Sequence, residues 1–209
     1  SAEHGVPVFP CTQNKKPTCE GGFKAASKDE STIKQLFSSG GAKLIGMPTG
    51  EATGIAVLDI DLTKKEGVPD GFSWLEKNKD QLPATHRVRT QNGGLHLYFK
   101  HVPGLKLSAS LVAPGIDVRA EGGYVIAAGD GYEVVGSMPY RSLPPFPAFI
   151  IEALVDRSQT KQKPVQTVPR NLASIYEEGR WHDTVRDWTA SVLARGDSER
   201  TIMEVAPLL

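Results

Sequence analysis

Glycine and proline interrupt this chain too often for it to build long helices. There are 21 glycines and 15 prolines among its 209 residues, about a sixth of the total. Glycine loses the most backbone freedom on folding, and proline removes a hydrogen-bond donor. A chain broken this often makes many turns between short strands and does not make a helical bundle. Its length suits one full domain, or one domain with a small appendage. Apolar residues make up 39% and charged residues 23%, a soluble globular composition. The apolar runs are too short for a transmembrane span. No basic stretch followed by an apolar segment opens the chain, which argues against a signal peptide. Cys11 and Cys19 are too few for a four-ligand zinc site, and without a secretory signal we expect free thiols.

The pattern between these breaks is mostly β. Val6, Val8 and Phe9 lead into Pro10 as a short strand, and Thr12–Gly22 is a polar loop. Asp29 or Ser31 can cap a helix that carries Ile33, Leu36 and Phe37 on one face. Strands follow at Lys43–Met47, Ile55–Asp61 and His86–Thr90. A helix is expected at Phe72–Asn78. Gln91-Asn92-Gly93-Gly94 is a hairpin signal, and Leu95–Lys100 alternates apolar and polar residues. Ile116–Arg119, Tyr124–Ala127 and Tyr132–Val135 read as strands, and Phe149–Val155 begins a helix. About eight strands interspersed with two or three helices give an α/β or α+β class. We expect a domain over residues 1–155 and a Ser-, Gln- and Pro-containing linker over 156–169. A helical extension over 170–209 would open a larger region beyond the chain given.

Asp59 and Asp61 are the sharpest chemical signal. At i and i+2 of an apolar strand they leave the same face, where two carboxylates repel each other and are costly to desolvate. A hard divalent cation, Mg²⁺ or Mn²⁺, resolves both costs. The plainer reading is a strand end that reaches solvent. Asp117, in Ile116-Asp117-Val118-Arg119, adds a third carboxylate and completes a ligand set for two-metal phosphoryl transfer. Its plainer reading is an ion pair with Arg119. His96 lies mid-strand after Gly93-Gly94, which lets a ligand or another backbone approach closely; alternatively it is a packed core residue.

Lys+Arg and Asp+Glu both total 24, so the net charge is zero and wholesale coating of nucleic acid is not expected. Placement still matters. Between His86 and Arg119, Arg87, Arg89, Lys100, Lys106 and Arg119 face a single acid, Asp117. That window is a candidate surface for an anion, with Arg87, Arg89 and Lys100 as candidate nucleic-acid contacts. A solvated face is the bland alternative.

Three segments carry a family resemblance. Leu58-Asp59-Ile60-Asp61 comes first, then Gly93-Gly94-Leu95-His96-Leu97-Tyr98-Phe99. Gly115-Ile116-Asp117-Val118-Arg119 follows, with Gly122-Gly123-Tyr124-Val125 after it. In order and spacing they resemble the motifs of the archaeo-eukaryotic primase superfamily. The match is closest to its bifunctional primase–polymerase branch, found in replication proteins of plasmids, phages and other mobile elements. Val8-Phe9-Pro10, Lys16-Pro17, and Gly46 with Thr49-Gly50 resemble the branch as well, and the likeness covers about residues 5 to 150.

The resemblance implies an RRM-like antiparallel catalytic sheet packed with a second small α/β unit. It implies Asp59, Asp61 and Asp117 as ligands of two Mg²⁺ or Mn²⁺ ions, and His96 as a contact to the phosphates of the incoming nucleotide. Thr49, Gly50, Gly93, Gly94 and Arg119 are expected in the nucleotide site; Arg119 would offer phosphate a permanent, forked cation. The implied activity is template-directed nucleotidyl transfer as a DNA primase, a DNA polymerase or both. The implied partners are single-stranded or primed DNA, dNTP or NTP, and a helicase downstream, in the cytoplasm of a prokaryotic or phage-infected cell. Three departures stand out. Gly94 replaces a frequent serine, the two cysteines cannot form a zinc stem, and the helix expected before Gly5 is missing or trimmed. A metal-dependent nuclease or a catalytically silent nucleic-acid-binding module would use much of the same residue set.

Overall fold

The computed structural model describes residues 5–38, 40–63 and 70–160. The chain divides into two compact units, Ser1–Arg157 and Ser158–Leu209. Nearly all the described residues belong to the first; the expected extension over 170–209 lies outside them. The class is mixed α and β, with three helices and nine strands in antiparallel sheets among the described residues.

The larger sheet has six strands. At its centre is β3 (Ile55–Ile60), flanked by β5 (Leu95–Lys100) and β7 (Ile116–Arg119). Outside β5 lie β4 (Arg87–Arg89) and β9 (Glu133–Gly136), and outside β7 lies β6 (Ser108–Ala113). The near-continuous apolar run of β3 suits this place, because both its faces are covered. Ala56, Leu58 and Ile60 join Leu97, Phe99, Ile116 and Val118 in one core. Against it pack Trp74 and Leu75 of α2 (Gly71–Asn78) and Phe149 and Ile150 of α3 (Ala148–Thr160). Ile55 and Val57 point the other way, into a core with Val88, Tyr98, Met47 and Val125.

Met47 and Val125 belong to a smaller sheet made of β1 (Phe9–Cys11), β2 (Leu44–Pro48) and β8 (Tyr124–Gly129), with β2 in the middle. Its other face carries Phe9, Cys11, Leu44 and Ile126. Helix α1 (Glu30–Ser38) begins where Asp29 caps it: Asp29 Oδ1 accepts from the Thr32 N–H at 2.8 Å. Asp70 caps α2 in the same way through the Ser73 N–H at 2.9 Å.

Two elements differ from expectation. Strand β6 has no alternating pattern to announce it, and its pairing with β7 slips between Ser108 and Ala113. Helix α3 continues through Thr160, so the stretch from Asp156, expected as linker, begins as helix; residues 161–169 lie outside the described part. No helix among the described residues is long and apolar enough to cross a membrane.

Candidate active site

Residues directly opposite one another in an antiparallel pair project to the same face. Asp59 lies opposite His96 on β5 and opposite Asp117 on β7. His96 lies opposite Val88 of β4. Registry alone therefore sets His96, Asp59 and Asp117 in one row, on the sheet face turned toward the smaller sheet. Gly94 makes the row possible. A Cβ there would stand 2.6 Å from the Ile60 carbonyl oxygen, so only glycine lets β5 start this close to β3. Gly93, at φ +86°, closes the preceding turn.

Asp61 lies one residue beyond β3. Its N–H donates to the Gly115 carbonyl at 2.8 Å, and its own carbonyl accepts from Gly71 at 3.0 Å. Its side chain is exposed, while that of Asp59 is 13% exposed.

Arg119 ties the row together. Its Nε and Nη2 donate to Asp59 Oδ2 at 3.3 and 3.2 Å, and Nη2 also donates to Asp117 Oδ2 at 2.8 Å. The plainer reading of Arg119, an ion pair with Asp117, is thus present, and it extends to Asp59. The second oxygen of Asp117 accepts from the Ser110 N–H at 2.8 Å. His96 Nε2 stands 3.5 Å from Asp59 Oδ1, and its buried Nδ1 has no partner.

These surroundings set the charge states. Burial pushes the Asp59 carboxyl above its ordinary range; Arg119 opposes that shift and Asp117 adds to it. Asp61, though an exposed residue, loses part of the solvent around its carboxyl; that loss, then Asp59 and Asp117, push it upward. Burial, then the charges of Lys15 and Arg119, bring His96 down to about 3. The ring is therefore neutral here, and an anion would have to enter to draw it toward imidazolium.

The row opens on a cavity of about 300 Å³ between the two sheets. Asp59, His96 and Arg119 line it from the large sheet, and Lys15, Tyr124 and Tyr132 line it from the opposite side and rim. Thr49 and Gly50 lie behind it. The Thr49 hydroxyl donates to the Ala120 carbonyl at 2.7 Å, and Gly50, at φ +92°, packs against Glu121. They shape the turn that brings Gly122 and Gly123 to the cavity wall. Arg87 and Arg89 lie opposite Leu97 and Leu95, on the other face of the sheet, and Arg89 pairs with Glu133 at 3.3 Å. Lys100, opposite Ile55, is exposed at the far end of β5. The structure does not bring these three cations to the cavity.

Lys15 and Tyr132 lie outside the motifs, and Tyr124 stands in a motif flank without being expected as a site residue. A lysine in a polar loop and tyrosines at strand ends carry no periodic signal, and only the packing of the two sheets brings them here.

Among the described residues, no three His, Cys, Asp or Glu side chains stand close enough together to hold a metal ion as they are. The donor chemistry nevertheless fits a hard cation. Asp59 and Asp117 already converge on one cationic nitrogen, Arg119 Nη2, and both offer carboxylate oxygens. Asp61 supplies a third carboxylate near them, close enough that both of the others raise its pKa.

Comparison with known families matches residues 1–149 to the profile described as bifunctional DNA primase/polymerase, N-terminal. Among curated proteins none matches the chain.

Proposed function

On the premise that the chain belongs to the bifunctional DNA primase/polymerase N-terminal family, we propose that it is a template-directed nucleotidyltransferase. Its site would be the row Asp117–Asp59–His96, with Arg119 and Asp61. The observation that carries this reading is the row itself: three strands in register set Asp117, Asp59 and His96 side by side, and Asp59 and His96 line a cavity large enough for part of a nucleotide. The replication setting of a mobile element, and a helicase following in the longer chain, are part of the same reading and rest on the motif resemblance.

The reaction joins a 3′-hydroxyl oxygen to the α-phosphorus of a nucleoside triphosphate. The bond to the bridging oxygen breaks, and pyrophosphate leaves with its electron pair. Asp59, Asp61 and Asp117 would hold Mg²⁺ or Mn²⁺; when bound, such ions lower the pKa of the attacking hydroxyl and offset phosphate charge. His96, neutral and buried, orients the phosphates by donating from one ring nitrogen. Arg119 reaches both the carboxylates and the cavity, and its planar fork matches two phosphate oxygens.

A silent binding module has one observation in its favour: Arg119 already pairs with both Asp59 and Asp117. One experiment separates the readings. Labelled dNTP or NTP is offered with primed and with unprimed single-stranded DNA, with and without Mg²⁺ or Mn²⁺. Metal-dependent lengthening supports the proposal. Shortening of the labelled DNA would establish the nuclease instead, and DNA binding without incorporation under any condition would establish the silent module.

A further inference from the structure

Between Cys11 and Pro17 the chain reverses in a tight loop. The Thr12 N–H donates to the Lys16 carbonyl at 2.8 Å, and the Lys15 N–H donates to the Thr12 carbonyl at 2.9 Å. Lys15 takes the left-handed position of this turn, φ +64°. Glycine or asparagine would take it at lower cost, and Asn14 is next door. Among the described residues one other non-glycine residue has a positive φ, Ser110, and its N–H is the one that holds Asp117. Both strained positions therefore border the same site, which is where backbone strain tends to be retained.

The loop is also fixed from outside. The Tyr124 hydroxyl donates to the Lys15 carbonyl at 3.0 Å, and the Tyr124 ring is wedged against Phe9 and Phe23 at 5.3 and 5.6 Å. With its backbone pinned, Lys15 directs its side chain to the cavity wall facing Asp59, His96 and Arg119. No described side chain forms an ion pair with its ammonium. Its charge nevertheless reaches the site, where it favours ionised Asp59 and Asp61 and neutral His96. Of the two cations lining the cavity, Arg119 is here paired with two carboxylates, which it must release before it can meet a phosphate, and Lys15 is paired with no described side chain.

We propose that Lys15 grips the terminal phosphates of the incoming nucleoside triphosphate, and so makes the site prefer a triphosphate over a monophosphate. The proposal rests on the functional reading above. The row on β3, β5 and β7 would receive the phosphate that reacts, and the phosphates beyond it would meet the loop on the opposite wall. A lysine suits that end of the ligand, because a flexible point charge follows the tail as it becomes pyrophosphate, with no fixed fork to break.

The test is calorimetric titration in magnesium buffer with a non-hydrolysable deoxynucleoside triphosphate, with the matching monophosphate, and with single-stranded DNA. The proteins are wild type, Lys15→Met, Lys15→Arg and Lys15→Gly. Glycine removes the ammonium and relieves the left-handed strain, so Lys15→Gly should melt no lower than wild type. We expect Lys15→Met and Lys15→Gly to lose roughly tenfold in triphosphate affinity, the scale of one charge-assisted hydrogen bond. Their monophosphate and DNA affinities should be unchanged, and Lys15→Arg should keep most of the triphosphate affinity. Equal triphosphate binding by wild type and Lys15→Gly would overturn the assignment while leaving the functional reading intact. Loss confined to DNA would overturn it in favour of a backbone-phosphate contact. A wild type that binds no triphosphate would sink the functional reading, and this proposal with it.

Discussion

Of the three carboxylates in the proposed site, Asp59 and Asp117 are held by Arg119, and Asp61 is the one whose charge is left to its neighbours and to solvent. It is exposed and has no arginine partner, yet its pKa is raised by the partial loss of solvent around its carboxyl and by its two acidic neighbours. The sign follows from linkage: the folded protein holds this proton more tightly than the unfolded chain, so the contribution of Asp61 to stability falls as pH rises from about 3.8. At neutral pH its charge is a burden on the fold. Asp61→Asn should therefore melt no lower than wild type at pH 7, while nucleotide incorporation falls by about a hundredfold or more, the scale of losing a major electrostatic contact in a reaction centre. A lower melting temperature with incorporation retained would make Asp61 structural. At this scale the sequence was informative where chemistry and strand period coincide: Asp59 interrupts the apolar run of β3, and His96 and Asp117 occupy polar positions of alternating strands. Lys15 was hidden, because its φ and its tie to Tyr124 depend on a turn and a second sheet that no local pattern encodes.

Elements were legible in proportion to their regularity. Strand β5 occupies Leu95–Lys100 as its alternation requires, and β7 occupies Ile116–Arg119. Strand β6 was not foreseen, because Ser108–Ala113 lacks a period and bends at Ser110. The end of α3 was misjudged because Ser, Gln and Thr read equally well as linker and as the solvent face of a helix; Pro164 is the first residue after it that forbids continuation. Two predictions belong here. Gly94→Ala should cost about 1–3 kcal/mol, as overpacking against a rigid carbonyl does, and thermal melting without nucleotide should show it. A melting temperature equal to wild type would return Gly94 to the list of ligand contacts. Asp29, whose carboxyl is held at about 2 by Ser31 and Thr32, stabilises the start of α1 while it is ionised. Its folded pKa lies below the unfolded value of 3.8, so this contribution is present above about pH 4 and is lost as pH falls toward 2. Asp29→Ala should thus melt lower than wild type at pH 7 and match it near pH 2; a gap that persists in acid would show that something other than the cap is lost.

For the whole molecule, the apolar clusters described all close within residues 6–154. A chain ending after Thr160, which keeps α3 entire, should therefore fold and extend a primed template. De novo priming is more demanding, since initiation must hold two nucleotides without a duplex to grip. Retention of fold with loss of extension, read by circular dichroism beside the incorporation assay, would show that residues beyond 160 belong to the catalytic unit.

The cross-strand row has a further consequence, in the order of events during folding. His96, Asp59 and Asp117 become neighbours only after β3 has found two partners that both lie far downstream in the chain and flank it in the sheet. Non-local pairings of this kind form slowly, because loop closure must precede any contact that rewards it. A β3–β5 pair alone would set Asp59 beside His96, but Asp117 and Arg119 arrive only with β7. On dilution from denaturant, helical signal from α1 and α2 can return early. The ability to bind a nucleotide should return only in the last and slowest phase, making ligand capture a reporter of the completed sheet.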